Sequence, residues 1–292
     1  MLYAVADIGS NTVKYGIYEY NGDSHLPERK GFGKKTLKLV GRIRNGMLPD
    51  SDVNELALLL SEYKTKASEA GAVRFDIFAT AWIRAINNSE EICAALEKAV
   101  GTRVVILSGE EEANCSNTAL YAEVRPDGDG ICVDMGGGST EIVKFSGADV
   151  IARKSMPFGC VVLKDRFVAG DFPDQTEASK IADFVKNNIS KLGFDIDSPL
   201  LCIVGGTAES LLKVNRVLFG EDFSPVSFGK LFDCFMKNTD VIKALIPERI
   251  DTTLPGLIGL KTICESVTPK KVLIVSSGTR EGFIMNKYRT KL

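Results

Sequence analysis

The chain has 292 residues, more than one hydrophobic core usually spans, and this length predicts two domains of ordinary size. Hydrophobic residues make up 45% of the sequence and charged residues 25%, as in soluble globular proteins. The net charge of −2 and a pI near 5.7 argue against a protein that holds nucleic acid by bulk positive charge. We therefore expect no nucleic-acid partner.

The sequence has one histidine and seven scattered cysteines, which limit the kinds of metal site and catalytic site that the protein can form. His25 stands alone, which argues against a histidine-ligated zinc site and against a Ser-His-Asp triad. The cysteines are odd in number and form no C-x-x-C pair, so reduced thiols and a cytoplasmic location are expected. No apolar run is long enough to span a membrane, and the N-terminus lacks the basic start of a signal peptide, so no membrane partner is expected.

The first predicted element is a strand over residues 2–8. It leads into a turn through Gly9, Ser10 and Asn11, and residues 13–20 alternate apolar and polar side chains as its hairpin partner. The chain thus opens with a strand, a glycine turn and a second strand.

Basic residues follow between positions 26 and 49. They are Lys34, Lys35, Lys38, Arg42 and Arg44. Ordinary surface charge on a solvated loop accounts for any one of them, whereas as a group facing an anionic site they would steer a polyanionic substrate.

Helices and short strands then alternate up to residue 107. The predicted elements are helices over 52–70 and 89–100 and strands over 75–80 and 104–107. Asp50 and Ser89 are predicted to be the N-caps of the two helices.

The sequence SGEEEA, which begins at Ser108, places three glutamates at the start of a helix predicted to reach about Ala122. Acidic residues in a first helical turn are favoured by the helix dipole, which explains Glu110 or Glu111. A carboxylate at the mouth of a phosphate site can also orient or deprotonate water, and one helical turn aims only one or two of the three inward. The turn-rich RPDGDG that follows predicts a domain boundary.

The central motif, ICVDMGGGSTEIVKF, occupies residues 131–145. A buried strand is predicted to end at Asp134, to turn through three glycines and Ser139, and to leave as a second strand through Glu141. Consecutive glycines let backbone N–H groups converge on one point, which suits a phosphate. The two flanking acids would then lie where a phosphate-bound metal ion or an attacking water has to be. The alternative is a hairpin whose glycines only form a tight bend.

The central motif repeats the start of the chain. ADIGSNTVKYGIY aligns with VDMGGGSTEIVKF, with Asp7 on Asp134, Gly9 on Gly136, Asn11 on Gly138 and Thr12 on Ser139. Such a repeat predicts two similar domains whose turns face one cleft, with chance similarity between two short hairpins as the alternative.

The remainder of the chain continues in the same α/β pattern. Predicted elements are strands over 150–156, 200–204 and 271–275, helices over 160–167 and 177–192, a mostly helical stretch over 211–268 and a terminal helix from 279. The strand over 200–204 ends in Gly205, Gly206 and Thr207 before a helix, an arrangement that offers N–H groups to a phosphate or a nucleotide.

Seven motifs, in this order, resemble the exopolyphosphatase and guanosine pentaphosphate phosphohydrolase family of the actin, Hsp70 and sugar-kinase superfamily. They are DIGSNT (7–12), TAWIR (80–84), SGEEEA (108–113), VDMGGGSTE (133–141), FGC (158–160), VGGTA (204–208) and SSGTREG (276–282). TAWIR departs from the family pattern at Ala81 and Trp82, where small or hydroxylated residues are common.

The resemblance implies an α/β fold of two actin-like, ribonuclease H-like domains, each with a mixed five-stranded sheet flanked by helices, and an active-site cleft between them. The implied domains are 1–124 and 125–278, with a C-terminal helix over about 279–292 that packs back on the first. Long family members append a further helical region, so the chain looks like the short two-domain form.

The resemblance also implies Mg²⁺-dependent hydrolysis of a phosphoanhydride, which releases orthophosphate from the end of inorganic polyphosphate or from pppGpp. The implied catalytic residues are Glu112, as general base or water-positioning group, and Glu141, which would orient the same water or contribute to the Mg²⁺ shell. The implied Mg²⁺ ligands, directly or through water, are Asp134 and Asp7. The expected phosphate-binding residues are Ser10, Asn11, Lys14, Arg84, Gly137, Gly138, Ser139, Gly205, Gly206 and Thr207. Polyphosphate or pppGpp is the expected partner, and a homodimer is one assembly open to the chain.

Two other functions stay open at this point. An ATP-dependent phosphotransferase or ATPase would use the Gly205 turn for adenosine, although SGEEEA and GGGSTE supply water-directed carboxylates and no sugar or acetate motif is found. A non-catalytic sensor of alarmone or polyphosphate would keep only the phosphate-binding turns. The basic residues are local, which favours short polyphosphates or a nucleotide over processive action on long chains.

Overall fold

The structure is a computed structural model that describes residues 1–23, 25–237 and 239–289. The strands are β1 Leu2–Ile8, β2 Thr12–Glu19, β3 Glu28–Thr36, β4 Arg74–Ala79, β5 Val104–Ile106, β6 Asp129–Met135, β7 Thr140–Ser146, β8 Asp149–Met156, β9 Leu200–Val204 and β10 Lys271–Ile274. The helices are α1 Leu39–Arg42, α2 Asp50–Glu69, α3 Ala81–Arg84, α4 Ser89–Val100, α5 Gly109–Val124, α6 Cys160–Phe167, α7 Gln175–Ile189, α8 Gly206–Phe219, α9 Ser227–Lys237, α10 Thr239–Leu245, α11 Ile250–Val267 and α12 Thr279–Tyr288. Positions 290–292 of the predicted C-terminal helix lie outside the described residues.

These elements group into two compact units. Unit 1 consists of residues 1–122 and the chain from Thr279 onward, and unit 2 consists of Glu123–Gly278. Residues 123 and 124, which the sequence assigns to the first domain, group with unit 2. There the Glu123 carboxylate accepts hydrogen bonds from the backbone N–H groups of Ser276, at 3.1 Å, and Ser277, at 2.8 Å.

Unit 1 is built on a mixed sheet in the order β3-β2-β1-β4-β5. β1 pairs antiparallel with β2 and parallel with β4. One face of the sheet, which includes Val13 and Tyr15, forms a core with apolar residues of α2 and α4. The opposite face packs Val5 and Tyr18 against α12 through Phe283. Because side chains alternate along a strand, this division fixes the face on which every residue of β2 lies.

Unit 2 repeats this plan, with the strand order β10-β9-β6-β7-β8. β6 pairs antiparallel with β7 and parallel with β9. Ile131 and Val133 of β6 form the main core with residues of α11 such as Leu257 and Ile263. The two copies of the repeated hairpin, β1-β2 and β6-β7, therefore occupy corresponding positions in the two sheets.

The predicted fold class is confirmed, since each unit carries a mixed five-stranded sheet flanked by helices. Each sheet has one pair of antiparallel connections on one side and parallel strands on the other, and helices link the parallel strands. Across the ranges that the structure describes, no helix has both the length and the apolar character needed to cross a membrane.

The sequence predicts a solvated loop for the basic residues between positions 26 and 49, and this prediction is wrong over Glu28–Thr36, where the structure has the edge strand β3. This edge strand lacks the apolar alternation that marks a half-buried strand, because its inward positions are glycines. A Cβ atom at Gly33 would lie 2.2 Å from the ring of Tyr15, and one at Gly31 would lie 3.2 Å from Ile17. The apolar side chains that cover this face belong to β2, so the sequence of β3 reads as polar.

The two N-cap predictions are also wrong. Asp50 and Ser89 lie inside the first turns of α2 and α4, and the N-caps are Pro49 and Asn88, neither of which makes a side-chain cap. The Asn88 side chain instead exchanges hydrogen bonds with the backbone of Leu48, at 3.1 and 2.9 Å. Asp50 acts at its position through the helix dipole, which favours acids in the first turn.

Candidate phosphate-binding turns and acidic residues

The turn between β1 and β2 is held by its carbonyl groups. The Asn11 carbonyl accepts from the N–H groups of Leu37, at 3.0 Å, and Lys38, at 2.9 Å, and the Ser10 carbonyl accepts from Val40, at 3.2 Å. Among the described residues, the N–H groups of Ser10 and Asn11 donate to no backbone carbonyl. The start of α1 thus fixes the turn and leaves its donors for an anion.

The turn between β6 and β7 is fixed in the same way. The Gly136 carbonyl accepts from Cys160 N–H at 3.0 Å, and the Gly137 carbonyl accepts from Val161 and Val162 at 3.0 and 3.2 Å. These donors are the first N–H groups of α6, which have no partner inside their own helix. Helix α6 therefore anchors the glycine turn by its carbonyl side.

The donor side of this turn is composed of residues 137–139. Their backbone N–H groups donate to no backbone carbonyl in the described parts of the chain. The turn comes this close to α6 because of Gly159, where a Cβ atom would lie 2.4 Å from the Gly136 oxygen. The expected phosphate-binding residues Gly137, Gly138 and Ser139 thus share one concave turn with donors available to a phosphate.

Two carboxylates face each other beside this turn. Asp134 of β6 and Glu141 of β7 are directly opposite in the antiparallel register, so their side chains lie on one face of the sheet. Glu141 is 4% exposed, and its Oε1 accepts a hydrogen bond from the Ser155 hydroxyl at 2.7 Å. Like charges at directly opposite positions destabilise a strand pair, and a cation between them removes that cost.

The acidic pair fits Mg²⁺. No group of three or more His, Cys, Asp or Glu side chains converges on a metal position within the described ranges. Mg²⁺ is typically held by one or two carboxylates together with substrate phosphates and water, so Asp134 and Glu141 beside a phosphate-binding turn are a sufficient protein contribution. Asp7, the other predicted ligand, belongs to unit 1 and is directly opposite Lys14.

Glu112 and Arg84 form an ion pair in unit 1. The Arg84 Nη1 atom lies 2.8 Å from Glu112 Oε2, and Glu112 is 6% exposed. The same Nη1 also donates to the carbonyl of Leu107. Because both bonds use Nη1, the rest of the guanidinium group, with its planar set of donors, is available for a phosphate.

Trp82 of the TAWIR motif links α3 to the end of β1. Its indole is buried, and its Nε1 donates to the Ile8 carbonyl at 2.7 Å, immediately before the first glycine turn. Helix α3 is thereby attached to the end of β1. Arg84 lies on this helix, so the same hydrogen bond helps to fix its position.

Of the three glutamates of SGEEEA, only Glu112 is buried. Glu111 accepts from the Ser108 N–H at 2.8 Å, and its own N–H donates to the Ser108 hydroxyl at 3.2 Å. This reciprocal pair is a capping box that begins α5. Glu111 is thus occupied at the helix end, and Glu112 is the glutamate that faces the interior.

The Gly205 turn brings the N-terminus of α8 next to Asp134. Gly205 has a φ of 105°, and a Cβ atom there would lie 3.3 Å from Asp134 Oδ1. The first N–H groups of α8 have no helical partner and can bind an anion. The Thr207 hydroxyl, by contrast, is buried against Gly256 of α11, so its backbone is the part of this residue best placed for a phosphate.

Arg249 is a candidate that sequence reasoning missed. A Cβ atom at Gly206 would lie 2.4 Å from its Nη1, so the guanidinium group stands at the N-terminus of α8. A cation at the positive end of a helix dipole is unfavourable unless an anion lies nearby. No glycine turn or motif marks Arg249 in the sequence, because its role depends on how the start of α11 packs against α8.

The predicted site residues therefore fall into two groups. Unit 1 holds Asp7, Ser10, Asn11, Lys14, Arg84 and Glu112, and unit 2 holds Asp134, Gly137, Gly138, Ser139, Glu141, Gly205, Gly206 and Thr207. Both groups are arranged around the end of the central strand of a sheet, where a glycine turn exposes N–H donors. Together with the fold, this defines a protein built from two copies of one hairpin whose glycine turn offers backbone N–H donors.

The chain belongs to the Ppx/GppA phosphatase family, whose model matches residues 33–291. It is 26% identical to a guanosine-5'-triphosphate,3'-diphosphate pyrophosphatase of Photobacterium profundum over 99% of this chain and 60% of that protein. It is 25% identical to exopolyphosphatase 1 of Mycobacterium leprae over 65% of this chain and 56% of that protein. The chain thus spans less than two thirds of the length of these curated relatives.

A solved structure of a PPX-GPPA enzyme from Aquifex aeolicus is similar over almost the whole chain. The TM-score is 0.80 and the identity 26%, and the match covers 98% of this chain and 99% of that one. The resemblance inferred from the seven motifs is confirmed by this family membership.

Proposed function

We propose that the protein is a Mg²⁺-dependent phosphoanhydride hydrolase that releases orthophosphate from the end of inorganic polyphosphate or from pppGpp. The observation that carries the proposal is the acidic pair Asp134 and Glu141 directly opposite each other beside a turn with available N–H donors. An anion site and a cation site that adjoin in this way suit a phosphate with its metal ion. The names of the relatives support the same reaction class.

Phosphate binding is assigned to the two glycine turns and to basic side chains. In unit 1 the N–H groups of Ser10 and Asn11, with Lys14 and Arg84, bind the substrate phosphates. In unit 2 the N–H groups of residues 137–139 and the start of α8 do the same. Such preformed donors neutralise oxygen charge without reorganisation during the reaction, which is the main requirement of phosphoryl transfer.

Asp134 and Glu141 of unit 2 would hold Mg²⁺. The role of Asp7 of unit 1 as a Mg²⁺ ligand stays a prediction from the family resemblance. When bound, the metal ion neutralises negative charge on the phosphate oxygens. Ser155 orients Glu141 by its hydrogen bond to Oε1. The carboxylate keeps this orientation because it is buried between two neighbouring strands.

Glu112 is assigned as the general base. The oxygen of a water molecule bonds to the terminal phosphorus, the bond from that phosphorus to the bridging oxygen breaks, and the water proton passes to the Glu112 carboxylate. The products are orthophosphate and a substrate shorter by one phosphate. Arg84 holds Glu112 in place through the 2.8 Å ion pair while its remaining N–H groups contact the phosphate.

The test is phosphate release with and without Mg²⁺ from a matched panel of tripolyphosphate, long-chain polyphosphate, pppGpp and ATP. We expect release from polyphosphate or pppGpp that stops when Mg²⁺ is chelated. Turnover of ATP alone would favour the ATPase alternative. Tight binding of polyphosphate or pppGpp with no release from either would favour the sensor.

A further inference from the structure

The segment over residues 37–48, which we call the anchoring segment, holds the first glycine turn at its beginning. The N–H groups of Leu37 and Lys38 donate to the Asn11 carbonyl, at 3.0 and 2.9 Å. A carbonyl that is bound from behind orients its peptide group, so these bonds also fix the direction of the neighbouring N–H donors of the turn. The position of the turn therefore depends on the anchoring segment.

The other end of the anchoring segment contacts the chain that follows Arg84. The Gly46 carbonyl accepts from the Asn87 N–H at 2.7 Å. The Asn88 side chain accepts from the Leu48 N–H at 3.1 Å and donates to the Leu48 carbonyl at 2.9 Å. Asn88 is 9% exposed and Leu48 is 1% exposed, so water competes little for these bonds. One short segment thus joins the turn to the chain that carries Arg84.

The anchoring segment is itself held in place. Asn45 and Gly46 have φ angles of 53° and 75°, and the flanking residues Arg44 and Met47 form an antiparallel bridge. Asparagine and glycine tolerate positive φ, so these residues form a tight two-residue turn. Arg42 forms ion pairs with two acids of α2, at 2.8 and 2.6 Å. The segment is thus fixed on α2 and presents a tight turn to the chain after Arg84.

Arg84 lies between two points of attachment. Before it, the Trp82 indole donates to the Ile8 carbonyl at 2.7 Å, at the end of the strand that enters the turn. After it, Asn88 binds the anchoring segment, which holds the turn from the other side. Binding sites need such supporting hydrogen bonds, because a preformed set of donors works only when its members keep their relative positions.

We propose that Asn88 is a positioning residue that holds Arg84 in a fixed place relative to the turn at Ser10 and Asn11. Asn88 does not contact the substrate in this role and acts through Arg84. The inference rests on the proposed function of Arg84 in binding a phosphate group.

The test is a double-mutant cycle on tripolyphosphate binding, measured by titration calorimetry with Mg²⁺ chelated so that, under the proposed function, no hydrolysis takes place. The proteins are the parent, Asn88→Ala, Arg84→Gln and the double variant. Asn88→Ala is expected to weaken binding roughly three- to tenfold in the parent. With Arg84→Gln the same change should alter the affinity less than twofold, because the side chain that it misplaces is already gone.

Lys64→Met is the matched control. The Lys64 ammonium donates to the carbonyls of Val100, at 2.7 Å, and Gly101, at 3.2 Å, so this variant also loses two hydrogen bonds between a side chain and the backbone. These bonds lie at the opposite end of α4 from Asn88, which for 12 residues is about 18 Å away. At physiological ionic strength the lost charge is screened over that distance. We expect a lower melting temperature and an affinity within twofold of the parent.

Gly46→Ala disturbs the same contact from the other side. Gly46 has a φ of 75°, and a Cβ atom there would lie 2.6 Å from the Asn87 side-chain nitrogen. Its control is Gly101→Ala, which has the same strain at a φ of 66° but lies at the far end of α4. If Asn88→Ala does not fold, the cycle with Arg84→Gln is run with Gly46→Ala.

The outcomes separate positioning from general stability. Equal affinities for the parent and Asn88→Ala would overturn the proposal, as would an equal loss with and without Arg84. A loss in Lys64→Met as large as that in Asn88→Ala would also overturn it, and so would absence of tripolyphosphate binding to the parent. The proposed hydrolysis is judged separately, from phosphate release by the unmutated protein with Mg²⁺.

Discussion

The two copies of the repeated hairpin differ in charge beside their turns, and Lys14 in unit 1 corresponds to Glu141 in unit 2. Residues directly opposite one another across the strands form a row beside each turn, which is Asp7, Lys14 and Lys34 in unit 1 and Asp134, Glu141 and Ser155 in unit 2. Each turn is anchored through its carbonyl groups, in unit 1 by N–H groups of residues 37–40 and in unit 2 by the first N–H groups of α6. Under the proposed function, the hairpin provides an anion-binding turn in both units, and the charges of the neighbouring row decide what would bind next to it.

This difference divides the proposed chemistry between the units. Under the proposed function, Lys14 adds to the phosphate-binding surface of unit 1, whereas a row with two carboxylates and a hydroxyl suits a metal ion in unit 2. The aspartate at the end of the central strand, Asp7 or Asp134, is common to both. The predictions below test each half of this division.

The largest effect is expected in unit 1, at the assigned base. Glu112→Gln keeps the shape of the side chain and removes its basicity, so kcat should fall by about 10²- to 10⁴-fold. Phosphate binding should survive, because the turn donors are unchanged. The measurement is steady-state phosphate release, with Glu110→Gln as a control on an exposed glutamate of the same helix turn. A Glu112→Gln kcat within twofold of the parent would remove Glu112 from its assigned role.

The next effect concerns the acidic row of unit 2. Asp134→Asn removes one of the two facing carboxylates, and the Mg²⁺ concentration for half-maximal activity should rise at least about tenfold, by comparison with losses of single outer-shell partners. Asp129→Asn, at the exposed start of the same strand, is the control. A Mg²⁺ titration distinguishes them. An unchanged Mg²⁺ requirement in Asp134→Asn would place the metal ion elsewhere.

A smaller effect is expected from the anchoring of the unit 2 turn. Gly159→Ala adds a Cβ atom 2.4 Å from the Gly136 oxygen, so the turn and α6 must separate. Overpacking of this kind typically costs about 1–3 kcal/mol, which lowers the melting temperature and weakens phosphate binding together. Gly229→Ala is the control, because nothing lies within 4 Å of a Cβ atom there and the site is inside α9. A melting temperature equal to the parent's would contradict the packing argument.

The repeated turns were predictable from the sequence because their signals are local. A strand, a glycine turn and a following strand occupy one short stretch, and the two stretches align residue by residue. The sequence also favoured at most two of the three SGEEEA glutamates as inward-facing, and the structure buries Glu112 alone. The order of the seven motifs along the chain was enough to identify the family.

What was missed depends on contacts between distant segments. Strand β3 was hidden because Tyr15 and Ile17 fill the space above its glycines, so its own sequence shows no alternation. Arg249 has no local motif, and its position arises from the packing of α11 against α8. The position of Lys34 directly opposite Lys14 likewise required the strand register. The local sequence is enough to predict the turns. Which charged side chains lie next to them depends on strand register and on packing between distant segments.

The smallest effect is expected where the chain enters and leaves unit 2. Burial raises the pKa of Glu123, but hydrogen bonds from Ser276 and Ser277 to its carboxylate outweigh that and lower it below its usual value of 4.5. Because the folded-state pKa is the lower one, this carboxylate stabilises the fold above the unfolded-state pKa, and the contribution disappears as pH falls through the folded-state pKa. Glu123→Gln should therefore lower the melting temperature at neutral pH. The glutamine amide has one acceptor oxygen, so its N–H₂ group would face a backbone N–H group that now bonds to a carboxylate oxygen.

The difference in melting temperature between the parent and Glu123→Gln should begin to shrink below about pH 4.5, as the unfolded-state carboxylate takes up a proton, and should be lost once the pH has fallen through the lower folded-state pKa. Asp222→Asn, which removes one negative charge at an exposed position of unit 2, is the control. Thermal unfolding followed by circular dichroism across this pH range makes the comparison. If the difference in melting temperature between the parent and Glu123→Gln stays constant with pH, the charge of Glu123 does not contribute to the stability of this contact.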